Sequence, residues 1–180
     1  MVKKILKWIG TSLVVIGMLM PLIFFGGMFL SVWFAFNEEP TPYLPQPDGY
    51  WQKVISKEII LDVKDSEVLY EMDTHGGFLG DGDATIVLKM NDDLTDVIEG
   101  DSLWHELPLP SQLNLGVFCD EEGNRLIGEI ENGYWFFVDR NSEAEDIFDP
   151  SDLDKRASWN YSFAVYDADE NILCVYELDT

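Results

Sequence analysis

At 180 residues with 47% hydrophobic content, the chain has room for one membrane segment and one domain with its own core, but not for a second folded domain of ordinary size. Its formal net charge is −23 at pH 7; Lys3, Lys4 and Lys7 precede a long apolar run and Glu38 is the first acid, so removing their three positive charges leaves −26 beyond that run. A surface of this sign argues against nucleic acid as a partner and favours divalent cations, cationic peptides or basic protein surfaces.

The run at 9–36 is predicted to be a retained transmembrane anchor. It holds 28 residues without a charged side chain, whereas about 20 cross the hydrocarbon core of a bilayer. A cleaved signal peptide is the alternative, but cleavage after Ala35 would put Trp33 where a small side chain is required. The lysines before the run place residues 1–8 in the cytoplasm. The sequence therefore predicts a single-pass signal anchor in the cell membrane with an extracytoplasmic C-terminal domain.

A short proline-rich segment follows the anchor. Residues 37–49 carry four of the eight prolines, and such segments favour an extended polyproline II conformation, so we expect a stiff stalk. Residues 50–180 are predicted to form one acidic extracytoplasmic domain. The two cysteines, Cys119 and Cys174, both lie in this domain; either a disulfide or two free thiols packed in the core fits the sequence.

The pattern of residues 50–180 predicts an α+β fold, with a mainly antiparallel β domain and one or two short helices. One helix is expected at 91–99 with Asn91 as its cap, and a brief helical turn near Pro110. A two-residue turn at Asn132 and Gly133 is expected to join two strands. Runs rich in β-branched or alternating apolar residues predict strands at 54–63, 67–73, 84–90, 115–119, 125–130, 134–139, 159–166 and 172–178.

The most distinctive segment is the Gly-rich loop at 74–83. Its glycines permit backbone angles that side chains forbid and allow a ligand to approach the main chain. A functional interpretation makes the loop a divalent-cation site or an acid–base pair; a structural interpretation makes it a long hairpin loop with an exposed histidine. No resident cofactor is predicted, and a divalent cation is the alternative. The candidate ligand-binding residues are Asp73, His75, Gly76, Gly77, Gly80, Asp81 and Asp83.

Catalytic signatures are missing from the sequence. It contains no nucleophile elbow, no zinc-protease helix motif, no P-loop and no dinucleotide glycine fingerprint after a strand, so no catalytic residues are assigned and an enzyme is disfavoured. Aromatic residues could form a stacking platform for sugar, but at strand positions they more often belong to the core. These residues are Trp51, Trp135, Trp159, Tyr134 and Tyr161.

Four short runs characterise the outer domain. They are DTHGGF at 73–78 continued by GDG at 80–82, WFFVDR at 135–140, NYSF at 160–163 and YELDT at 176–180. In these runs the chain resembles an uncharacterised family of small membrane-anchored proteins from Gram-positive bacteria of the Firmicutes type. The resemblance implies a bacterial cell-surface setting, and no activity is assigned to that family.

Taken together, these features predict a membrane-anchored extracytoplasmic binding or accessory module whose ligand the sequence does not name. Two alternatives remain: a metal-binding or hydrolytic domain centred on the Gly-rich loop, and an immunity-type protein that captures cationic peptides through its acidic surface.

Overall fold

A computed structural model describes residues 46–76, 81–141 and 144–180. The predicted anchor at 9–36 and most of the predicted stalk at 37–49 lie outside these residues. Among the residues that are described, no helix is both long enough and apolar enough to cross a membrane. All of them belong to one compact unit, Tyr43–Thr180.

One antiparallel sheet organises the described part of the chain. Its six strands run in the order β1-β2-β6-β5-β4-β3, and every neighbouring pair is antiparallel. Short 3-10 turns lie at Leu115–Val117 and Pro150–Lys155. This confirms the predicted α+β class with a mainly antiparallel sheet. In chain order the elements are α1 (Tyr50–Glu58), β1 (Ser66–Asp73), β2 (Gly82–Met90), α2 (Thr95–Glu99), β3 (Trp104–Glu106), β4 (Gly133–Asp139), β5 (Asn160–Asp167) and β6 (Ile172–Asp179).

Helix α1 and the segment after it cover one face of the sheet. Trp51, Ile55 and Ile59 follow one another at intervals of four residues, which places them on the same side of the helix, and all three are buried. They pack in one cluster with alternate residues of the central strands, including Ile86, Leu88, Ala164, Tyr166, Leu173 and Val175. Alternate side chains of the strands thus form one wall of this core, and the side chains on one side of α1 form the other.

Irregular segments cover the opposite face. There Val87, Phe163 and Cys174 lie in a second cluster with Phe118 and Leu153, which come from segments between strands. Phe118 is fully buried although it belongs to no strand. Both faces of the sheet are therefore covered by apolar side chains, one mainly by helix and one by loops.

Several predicted boundaries are wrong, and packing explains them. Residues 54–63 were expected to form a strand from their β-branched content, but tertiary packing at the helical spacing overrides that weak preference and α1 forms instead. The apolar runs at 115–119 and 125–130 are not strands; only an isolated bridge joins Cys119 to Arg125. These runs lie against the sheet as loops, which period-two patterns alone do not distinguish from strands.

The predicted turn at Asn132 and Gly133 is also wrong. Gly133 begins β4 and pairs with Asp167 of β5. Residues 125–130 before it form no strand, so no hairpin is closed at this turn. A Cβ at Gly133 would lie 2.4 Å from the carbonyl oxygen of Tyr166, so this glycine serves a close approach between strands. The short helix expected at 91–99 begins only at Thr95, and Asn91 does not cap it.

The structure answers two questions that the sequence left open, the state of the cysteines and the exposure of the aromatic residues. Cys119 and Cys174 are both free thiols, and burial raises the pKa of Cys174 above its ordinary value. Trp51, Tyr134 and Trp135 are at most 9% exposed. These three residues belong to the core, and Trp159 and Tyr161 are partly buried against the second cluster.

Candidate functional site

Polar side chains gather at one end of the sheet, on the face that α1 covers. In the antiparallel register, Ala84 of β2 lies between Asp73 of β1 and Glu177 of β6, and Glu177 in turn lies opposite Ser162 of β5. Arg140 follows the last residue of β4 at the same end. The ends of four strands thus bring together residues that are far apart in the sequence, at the border of the apolar core.

His75 lies in this group between two carboxylates. Its Nδ1 is 2.8 Å from Oδ1 of Asp73, which also accepts a hydrogen bond of 2.9 Å from the backbone N–H of His75. Its Nε2 is 3.3 Å from Oδ2 of Asp179, a contact whose geometry falls short of a hydrogen bond. The side chain of His75 is 22% exposed. The structural interpretation of the loop assumed an exposed histidine, but this ring is partly buried and lies against the ends of β1 and β6.

Arg140 extends the network toward α1. Its Nη2 donates a hydrogen bond of 2.8 Å to Oδ1 of Asp179, and its Nη1 donates to Oε2 of Glu58 at 3.3 Å and contacts Oγ of Ser162. Burial alone would lower the pKa of Arg140, but the hydrogen bond with Asp179 and the charges of nearby carboxylates outweigh it and raise the pKa. The guanidinium therefore joins the end of β6 to the end of α1.

Glu177 is a carboxylate of the group with one buried oxygen, Oε1, that has no hydrogen-bond partner among the described residues. Desolvation by burial raises the pKa of Glu177, and the negative charge of Glu58 raises it further, while Arg140 and His75 act in the opposite direction. The carboxylates outnumber the cations here, so the group retains excess negative charge.

The structure separates the other predicted loop residues from His75. Asp83 is adjacent to Ala84 in β2 and therefore faces the opposite side of the sheet, where its carboxylate accepts a hydrogen bond from the Thr74 hydroxyl. Gly76 and Asp81 are exposed. Gly77 and Gly80 lie outside the described residues. Of the predicted site residues, only Asp73 and His75 are brought together in the polar group.

Gly82 is a residue of this loop that the predicted site omitted. A Cβ at this position would lie 2.6 Å from Cα of His75 and 2.8 Å from the carbonyl carbon of Thr74. Such distances are below van der Waals contact, so only glycine lets the start of β2 pass against the chain that carries His75. The glycine content of the loop indicated a close approach of the backbone. The residues that Gly82 meets could not be assigned before the pairing of β1 with β2 was known.

The members of the polar group make most of their contacts with one another. Ser162 is the hydroxyl nearest to the charged residues, but it is fully buried and hydrogen bonds to Glu58, so a substrate cannot reach it. Among the described residues, no group of three or more His, Cys, Asp or Glu side chains is arranged to hold a metal ion. The arrangement joins α1, β1, β4 and β6 through the contacts of His75 and Arg140 with carboxylates.

A groove lies elsewhere, beside the outer edge of β1. It has a volume of about 580 Å³ and is formed by residues 46–49, the first turn of α1 and residues 68–71. A volume of several hundred Å³ is typical of ligand-binding pockets, and the lining of this groove combines polar and apolar side chains. The groove is therefore the second candidate site.

A bulge in β1 shapes this groove. The register with β2 shifts between Val68 and Tyr70, which leaves Leu69 without a partner, and Leu69 is 51% exposed. On the other side, Nε2 of Gln52 donates a hydrogen bond of 3.2 Å to the carbonyl oxygen of Ser66, which holds α1 against the strand. The signal in the sequence is the run of three consecutive apolar residues at 68–70, which breaks the alternation expected of a strand with one solvent-facing side.

Comparison of the chain with protein-family models, with curated proteins and with solved structures gave no match.

Proposed function

We propose that this protein is a membrane-anchored, extracytoplasmic binding module that uses the groove beside β1 to hold a protein or peptide partner. The observation that carries this proposal is the combination of a preformed concave site and an exposed apolar side chain in it. Leu69 is held outward by the bulge in β1 rather than folded into either core. Exposed apolar side chains in a groove favour association because their burial releases water.

The predicted membrane location and topology support this function. An uncharged run at 9–36 preceded by three lysines favours an anchor with its N-terminus in the cytoplasm, and the proline-rich segment at 37–49 favours a spacer that holds the domain away from the lipid. A tethered domain binds a surface partner at a high local concentration, so even a modest groove affinity is sufficient. These features suit an accessory protein of a cell envelope.

The polar group around His75 supports binding rather than turnover. Its histidine and arginine are engaged with carboxylates, and its serine is inaccessible, so it rigidifies the sheet end instead of presenting a reactive atom. A rigid scaffold loses little conformational entropy when a partner binds, so the entropic cost of binding is smaller.

Site-specific photocrosslinking in living cells tests this function. A photoreactive phenylalanine analogue replaces Leu69 in one variant and Val97 in the matched control, since Val97 is 57% exposed on α2 and does not line the groove. We expect adducts of defined mass with the analogue at position 69 and none at position 97. Equal adduct formation at both positions, or none at either, would contradict a binding role for the groove.

A further inference from the structure

We infer that the groove beside β1 takes a cationic peptide segment in which a lysine or arginine lies next to an apolar side chain. This inference rests on the proposed binding function and specifies the chemistry of the ligand. It follows from the two kinds of surface that meet in the groove.

The charged groups of the groove have one sign. Asp48 lies on the segment before α1 and Glu71 lies on β1, and neither Lys nor Arg is among the described residues that line the groove. The residues beyond the apolar run carry −26 in total, so the wider field also attracts cations. Complementary charge directs the approach of a ligand and selects its sign more than it determines the affinity.

The apolar groups supply the second requirement. Val68, Leu69 and Tyr70 form one wall and Pro47 and Trp51 contribute to the other. A free cation or a polyamine would leave this surface exposed, whereas a peptide with an apolar side chain next to its cation covers it. Burial of apolar area contributes about 25 cal/mol per Å², so the apolar contact adds to the affinity of a ligand that the charges attract.

The bulge at Leu69 also argues against strand addition as the mode of binding. A bulge on an edge strand interrupts the regular row of backbone donors and acceptors that an added strand needs, and charged residues such as Glu67 and Glu71 are typical of edges protected from pairing. The ligand is therefore held by its side chains in the groove and not by a new β-ladder.

The experiment uses the full chain in lipid nanodiscs and three short synthetic peptides as probes. In the first, lysine alternates with leucine and phenylalanine; in the second, glutamate replaces each lysine; in the third, serine replaces each apolar residue. We expect the first peptide to bind at least about tenfold more tightly than either of the others, and its affinity to fall as salt is raised because the groove charges are screened.

Matched variants localise the binding. Asp48→Asn with Glu71→Gln should weaken binding of the first peptide about fivefold, whereas Asp154→Asn with Glu129→Gln, two exposed acids outside the groove lining, should change it less than twofold. Leu69→Ser should weaken it about tenfold, whereas Val97→Ser should leave it unchanged. Melting temperatures of all variants show whether each remains folded.

The possible results separate the two proposals. Equal binding of the lysine and glutamate peptides, or equal weakening by the groove and control variants, overturns the cationic ligand. Absence of binding also overturns it, whether the groove is filled by residues 37–45, by a second copy of the chain or by nothing. If crosslinking at position 69 in cells still gives a specific adduct, the binding function stands and only the ligand class fails; if crosslinking fails as well, both fail.

Discussion

Nε2 of His75 lies 3.3 Å from Oδ2 of Asp179, so a residue just after β1 contacts the end of the last strand. Asp179 also receives the hydrogen bond from Arg140, which links the same carboxylate to α1 through Glu58. Together these contacts join the segment after β1 and the end of α1 to the end of β6. The Gly-rich loop thus begins from a fixed point, although it was expected to begin with an exposed histidine.

Replacement of His75 tests this bracing role. His75→Ala should lower the free energy of unfolding by about 1 kcal/mol, because Asp73 and Asp179 lose a partly buried partner. Asp81→Ala, at an exposed position of the same loop, should change it by less than about 0.5 kcal/mol. Chemical denaturation of both variants measures the difference. Equal effects from the two replacements would show that the ring contacts contribute nothing to stability.

Replacement of Glu177 should stabilise the protein at neutral pH. Burial and the charge of Glu58 raise the pKa of Glu177 above its ordinary value of 4.5, so the folded chain binds this proton more tightly than the unfolded chain. Its contribution to stability is therefore present below about pH 4.5 and is lost as the pH rises through the folded-state pKa. Glu177→Gln removes that loss.

The measurement compares unfolding free energies across pH. At pH 7, we expect Glu177→Gln to be more stable than the wild type by about 1 kcal/mol, because the neutral amide avoids the cost of ionising a buried carboxyl group. The gain should shrink toward pH 4. Glu129→Gln, at an exposed position, is the control and should show no such trend. A destabilised Glu177→Gln at pH 7 would mean that the ionised carboxylate is favourable where it lies.

Gly82 should be intolerant of any side chain. A Cβ there would meet the backbone of Thr74 and His75 at 2.6 to 2.8 Å, and backbone atoms cannot rotate away. We expect Gly82→Ala to lower the free energy of unfolding by about 2 kcal/mol or more, which thermal unfolding measures. Gly128→Ala is the control, because nothing lies within 4 Å of a Cβ at that position. Similar melting temperatures for the two variants would contradict the close approach.

The sequence was sufficient for the strands with a clear alternation. β1, β2, β4, β5 and β6 were predicted to within two residues. Helix α1 was missed because its four-residue spacing is set by only Trp51, Ile55 and Ile59, while its local composition favours a strand. Burial against the sheet therefore decided between the helical and the strand conformation of this segment.

The candidate site was predictable only in its local part. Asp73 and His75 are two residues apart, so their contact follows from the loop itself. Arg140, Glu58 and Asp179 join them because β6 inserts between β2 and β5, and nothing in the sequence fixes that strand order. The groove depends in the same way on the position of α1 beside the edge strand.

Divalent cations provide a test of the alternative function of the Gly-rich loop. Oδ1 of Asp73 is already bonded to the backbone and ring of His75, and Asp83 is bonded to Thr74, so these ligands are committed within the protein. We expect calcium, magnesium, manganese and zinc to leave the melting temperature unchanged, because a cation that binds the native state would raise it. A rise that disappears in both His75→Ala and Asp81→Ala would establish the loop as a metal site.

The most direct test of a domain tethered outside the membrane is limited proteolysis of intact cells. We expect added protease to remove the domain beyond residue 37 while a tag on residues 1–8 stays protected, and the uncleaved chain to remain in the membrane fraction. A domain that stays intact until the cells are lysed, or a full-length chain recovered in the soluble fraction, would contradict an anchored extracytoplasmic binding module.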